Sequence, residues 1–204
     1  MTKTILSQLR EITPARALTY GESLRVAELQ AAKLLSLSAV TWPPVEETIV
    51  TSLPRVQVRR VSPFAASGAS HWAKGRWQIV VNGSEAPVRQ RFTLAHEFKH
   101  VIDHPFVDVL YPNTPGQRGY DRAEQVCDYF AACLLMPKVW VTNAFYNRGV
   151  QRLDLLARRF RVSQMAMRVR LLQLGIIESQ PRCTPYRRAA PPMFAPTSPE
   201  QIAA

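Results

Sequence analysis

At 204 residues and 47% hydrophobic composition, the chain can bury one substantial core without disulfides or other staples. Its 26 Lys and Arg against 15 Asp and Glu leave a net charge of +11, which admits an anionic partner without choosing one. With no apolar run of about 18 residues, no signal-like N-terminal stretch and three cysteines without CxxC spacing, no membrane span is expected, a reducing compartment fits better than a disulfide framework, and the cytoplasm is expected.

Residues 1–21 show no strong periodicity and read as an N-terminal arm. Leu24, Ala27, Ala31, Leu34 and Leu35 then recur at helical spacing and predict an amphipathic helix over Glu22–Leu35. Thr41-Trp42-Pro43-Pro44 breaks it, and Pro44 opens a short helix, Val45–Leu53, that stops before Pro54. Val56–Val61 alternates as a strand does. Ala69–Ala73 and Arg76–Val81 predict two more strands, with Lys74-Gly75 as the turn between them. The expectation is a small antiparallel three-stranded sheet packed on helices, with an edge open to strand addition by an extended peptide.

The segment Pro87–Pro105 reads as a helix, since Pro87 suits its first turn and Pro105 disfavours helical geometry just before it. Phe92, Ala95, Phe98, Val101 and Ile102 form its apolar stripe. It carries His96-Glu97-Phe98-Lys99-His100, an HExxH pattern. Histidines at i and i+4 share one face a turn apart, so both imidazoles can converge on one metal ion. Glu97 stands where its carboxylate can reach a metal-bound water without binding the metal. The pattern fixes only three residues and also occurs on helices that bind nothing, so a third ligand is required.

Phe106–Gly119 reads as an irregular loop. Near it, Tyr111 and Tyr120 are candidate oxyanion donors, with ordinary packing as the competing reading. The next helix, Arg122–Leu135, places Glu124 and Asp128 at i and i+4. Glu124 completes a two-histidine, one-glutamate set of the catalytic zinc type, which leaves a fourth position to water. Asp128 can accept a hydrogen bond from the outer nitrogen of a ligand histidine. A competing reading makes Asp121 and Glu124 a capping box. His104, eight residues after His96 and near the same face, is a further candidate to support the ligands. His71 reads as an ordinary strand residue, and Cys127, Cys133 and Met136 as core.

RQRFTLAHEFKHVIDHP followed by EQVCDYFAACLLMP resembles the ImmA/IrrE family of zinc metallopeptidases, and LARRFRVSQMAMRVRLLQLGII extends the resemblance downstream. It covers most of residues 22–177 and is specific, because three separated blocks stand in the family's order. The resemblance implies a zincin-like α+β fold with zinc held by His96, His100 and Glu124. It also implies Glu97 as catalytic acid/base and a helix-turn-helix repressor as substrate, whose proteolysis relieves repression. Two departures stand out. Lys99 occupies the position before the second histidine, usually Gly in the family, and sets a bulky residue beside the site. Asp128 stands where the family often has Asn, which makes the site more anionic.

Residues 150–177 show two helical patterns around Arg161-Val162-Ser163. Leu153, Leu156, Ala157 and Phe160 line the first. Ser163 caps the second, which carries Met167, Val169, Leu171, Leu172 and Leu174 and stops at Gly175. The spacing resembles a helix-turn-helix, and Arg158, Arg159, Arg161, Arg168 and Arg170 add charge. The favoured reading is a closing helical pair of the peptidase domain, with weak nucleic-acid binding or none. The expected layout is therefore an arm (1–21), a zincin-like core (22–149), the helical pair packed on it (150–177) and a proline-rich, disordered tail (178–204). The functional expectation is a zinc endopeptidase, and the alternative is a zinc-binding regulator acting through a partner or DNA without proteolysis.

Overall fold

The computed structural model describes residues 3–114, 116 and 118–178, so the expectation for the tail beyond 178 lies outside the described residues. Helix α1 (Ile5–Arg10) falls within the segment read as an arm, and its Leu9 is fully buried. Arg10 donates to the carbonyls of Val101 and Ile102 at 2.8 and 3.2 Å, capping the end of a distant helix. Helix α2 (Tyr20–Leu37) starts two residues before the predicted Glu22 because Thr19 and Glu22 form a reciprocal capping box. Its Ala27, Ala31, Leu34 and Leu35 are buried, as the apolar spacing requires. The predicted Val45–Leu53 helix is reduced to α3 (Thr48–Thr51).

Strands β1 (Val56–Val61), β2 (Gly68–Ala73) and β3 (Arg76–Asn82) form one sheet in the order β1-β3-β2. Lys74 and Gly75 have φ of 52° and 72°, the paired positive values that let a two-residue turn follow strand twist. The β2–β3 pair is antiparallel, as a hairpin must be. The β1–β3 pair is parallel, so the expectation of an all-antiparallel sheet is corrected to a mixed one. The reason is topological. β1 pairs with the second strand of the hairpin, leaving β2 as the other edge. Trp77, Ile79 and Val81 alternate into the core from the central strand.

Helix α4 (Pro87–Asp103) packs against β2, β3, α1 and the long helix α6 (Gly119–Leu135), with α5 (Val107–Leu110) between α4 and α6 in the chain. Leu94, Ala95, Phe98, Val101 and Ile102 are buried, and so are Lys99 and Asp103. Helix α6 also packs along α2, so α4 lies between the sheet and a helical layer. After α7 (Lys138–Thr142) come α8 (Leu153–Phe160) and α9 (Gln164–Gln173), joined through Arg161 in a left-handed conformation with φ 50°. Ser163 caps α9 as expected. Arg91 of α4 donates to the Arg161 carbonyl at 2.7 Å, and Phe160, Met167 and Leu171 are buried, which docks the pair on the core. Among the described residues no helix is long and apolar enough to cross a membrane.

Candidate metal centre

One turn of α4 separates His96 from His100, and their Nε2 atoms lie 3.1 Å apart. Glu124 of α6 closes the triangle: its Oε1 is 3.1 Å from His100 Nε2 and its Oε2 is 3.3 Å from His96 Nε2. Ligand atoms about 2.0–2.2 Å from a tetrahedral zinc are separated by roughly 3.3–3.6 Å, so this triangle is close to one face of such a site. The donor set fits zinc. Helix α6 begins at Gly119, with Arg118 at the N-cap position and no side-chain cap, so Asp121 and Glu124 do not form a capping box. Gly119 itself is required there. A Cβ on it would fall 1.9 Å from the Tyr111 carbonyl oxygen, so only glycine lets α6 start against that backbone.

Asp128 Oδ1 accepts from Nδ1 of His96 at 2.8 Å, which leaves the Nε2 lone pair facing Glu124 and His100. Burial pushes the His96 pKa down. The Asp128 hydrogen bond and the charges of Asp128, Glu124 and Glu97 together outweigh it, and the net shift is upward. His100 shifts downward, because burial and its neighbour His96 outweigh the nearby carboxylates.

Glu97 is buried at 8% exposure and lines the same cleft, of about 650 Å³, as the ligand triangle. Strand β2 passes close over it. A Cβ at Gly68 would sit 2.5 Å from Thr93 Cγ2 and 3.0 Å from both Cγ and Oε1 of Glu97. Of the two tyrosines, Tyr111 is buried and donates to Asp103 at 2.7 Å, away from the cleft. Tyr120 is exposed and lines the cleft, and the adjacent Glu124 carboxylate raises its phenol pKa. His104 lines the cleft too and meets Trp77 edge-on at 4.9 Å; among the described residues it makes no hydrogen bond to His96 or His100.

The expected intrusion of Lys99 beside the site is corrected. Its ammonium points into the core, donating to Gln30 at 2.8 Å and to Asp103 at 2.5 Å. Asp103 stands one helical turn on, so its carboxylate draws the lysine along α4 and away from the metal face. By sequence Cys127 reads only as core, yet its Sγ clusters with nitrogens of His96 and His100, all within 4.8 Å of one another. The Glu124 oxygens stand 3.1 and 3.3 Å from the two imidazole nitrogens, and burial pushes the Cys127 thiol pKa well above its ordinary range, which disfavours the thiolate that ligation needs. Its position three residues after Glu124 on α6 was the available signal.

Residues 54–172 match the sequence model of a peptidase family described as the IrrE N-terminal-like domain. The chain belongs to this family. It is 37% identical over 90 residues to the radiation response metalloprotease IrrE of Deinococcus deserti, and 34% over 90 residues to that of Deinococcus radiodurans. Each alignment takes in 42% of this chain and about a third or less of the relative, 32% and 27%. The IrrE-type fold also matches a Mycobacterium tuberculosis transcriptional regulator with a TM-score of 0.59 at 15% identity, over 83% of this chain and 52% of the other. That likeness speaks for the fold alone. The curated relatives are named metalloproteases, so the family implies a metal, and the triangle on α4 and α6 is a donor set that fits one.

Proposed function

We propose that the chain is a zinc-dependent endopeptidase in which His96, His100 and Glu124 hold the ion and Glu97 moves the proton. The observation that carries this is the convergence of two imidazole nitrogens and one carboxylate within 3.1–3.3 Å, beside a second, buried carboxylate in one cleft. Bound there, zinc supplies a Lewis acid that polarises a carbonyl and acidifies water. Glu97 takes the proton of the attacking water and delivers it to the leaving amine. Its near-complete enclosure under Gly68 keeps the carboxylate aimed into the cleft rather than out to solvent. Asp128 holds His96 in the tautomer that ligation needs. Tyr120, exposed at the cleft wall, is placed to donate to the developing oxyanion. Strand β2 is a sheet edge whose Gly68–Ser70 stretch lines the cleft, so an extended substrate can add to it as a further strand.

The substrate proposed is a helix-turn-helix repressor, whose cleavage relieves repression; the resemblance of the HExxH and EQVCD blocks to the ImmA/IrrE family supports it. The test is co-incubation with a candidate helix-turn-helix repressor, taken from an adjacent reading frame where one is found, read by intact mass. The parent with zinc should yield two fragments, and chelator should abolish them. Glu97→Gln should fold, bind zinc and bind repressor, but lose cleavage by about 10²–10⁴-fold. Cleavage by Glu97→Gln at the parent rate, or relief of repression in cells by that variant, would remove proteolysis from the account.

A further inference from the structure

A second depression adjoins the metal cleft. It has a volume of about 730 Å³ and is walled by Tyr20 and Leu24 of α2, Phe92 of α4, Tyr129 of α6, and Met165 and Val169 of α9. Arg89, Phe92 and Asp128 line both depressions, so the groove continues the cleft rather than standing apart from it. The junction is polar. Asp128 holds His96, and Arg89 lies 3.4 Å from Ser67 and 3.8 Å from Glu85. Beyond it the walls turn apolar, and Met165 and Val169 are 69% and 42% exposed there.

Building on the peptidase reading above, we propose that this groove is a recognition subsite for one large apolar side chain (Leu, Met or Phe) of an extended protein substrate. The offset follows from helix geometry. Phe92 precedes His96 by four residues, about 6 Å along α4, and Val88, also in the groove wall, precedes it by eight, about 12 Å. An extended chain advances about 3.3 Å per residue, so the groove takes a side chain roughly two to four residues from the scissile bond. The helical pair thus has a task that does not involve DNA. Its second helix turns Met165 and Val169 towards the cleft side, while Arg170, one of the pair's five arginines, is 1% exposed and donates to the Met136 carbonyl at 3.0 Å.

The test uses the full chain carrying Glu97→Gln, loaded with zinc, which should bind peptides without cutting them. Fluorescein-labelled eight-residue peptides that vary one position at a time among Leu, Met, Phe, Ser, Asp and Lys are the probe. One position should prefer the apolar residues over Ser or Asp by about tenfold to a hundredfold. Adding Val169→Arg should erase that preference at that position and leave the others unchanged; Val169→Ala, the milder variant, should reduce it. Val169 is not core, and the melting curve of each variant checks the fold. An absent positional preference, or one that survives Val169→Arg, overturns the proposal. Concentration-dependent self-association of the parent that Val169→Arg abolishes also overturns it, since the groove would then receive a second copy. The two readings separate on the same peptides with Glu97 restored. Binding with the preference but no cleavage leaves the groove standing and removes the peptidase, whereas cleavage indifferent to that position does the reverse.

Discussion

The carboxylate of Asp128, 2.8 Å from Nδ1 of His96, fixes which imidazole nitrogen can face a metal. Partners of this kind typically contribute 10–100-fold in metal affinity, so Asp128→Ala should weaken zinc by about that factor and leave the fold intact. Competition with a chromophoric chelator measures it. The pH dependence has a definite sign. Ligation requires neutral imidazole, so protons compete with zinc. The His96 pKa is raised from its ordinary 6.5, so affinity should start to fall, on acidification, already above that value. Asp128→Ala removes the largest of the raising influences and should shift that onset to lower pH. An unchanged affinity and an unchanged onset would mean that Asp128 and His96 are uncoupled in solution.

Helix α4 is held by polar groups on its hidden side as well as by its apolar stripe. Lys99, Asp103, Gln30 and Tyr111 form a buried chain of hydrogen bonds that joins α4 to α2 and to the end of α5. Gln30 continues it to Thr13 at 3.0 Å, beyond α1. Removing one member of a buried ion pair leaves the other charge uncompensated, so Asp103→Ala should cost about 3–5 kcal/mol in urea unfolding. A loss under 1 kcal/mol would show that water or another partner reaches Lys99. The i, i+4 spacing of Lys99 and Asp103 was legible in the sequence, but not the direction that the pair would take. Sequence periodicity located α2, α4 and α6 because their apolar faces repeat; it missed their starts at Tyr20 and Gly119, where a capping box and a close backbone approach decide. Alternation indicates which face of β1 turns towards the core but carries no information on strand direction, and so the parallel pairing was not legible.

At the scale of the whole molecule, several of the described arginines are taken up within the fold. Arg10 caps α4, Arg91 ties the helical pair to the core, Arg161 pairs with Glu46 at 2.9 Å, and Arg170 is buried. The formal charge of +11 therefore overstates what this surface offers to nucleic acid. The candidate site was legible because its chemistry is local: an HExxH turn and a carboxylate one helix later are the pattern from which the proposed roles are read. The apolar groove was not, since the sequence sets Val169 beside Met167 and Leu171 as one apolar set, and only packing leaves Val169 exposed while those two are buried. The same packing brings Cys127 beside the histidines and so sets up the most direct test of the central claim, metal analysis of the purified parent, Glu124→Ala and Cys127→Ala. The account predicts one zinc per chain in the parent and in Cys127→Ala, and a sharp loss in Glu124→Ala. Full occupancy in Glu124→Ala with loss in Cys127→Ala would contradict it, because the third ligand would then be the thiolate and the two-histidine, one-glutamate centre would not exist.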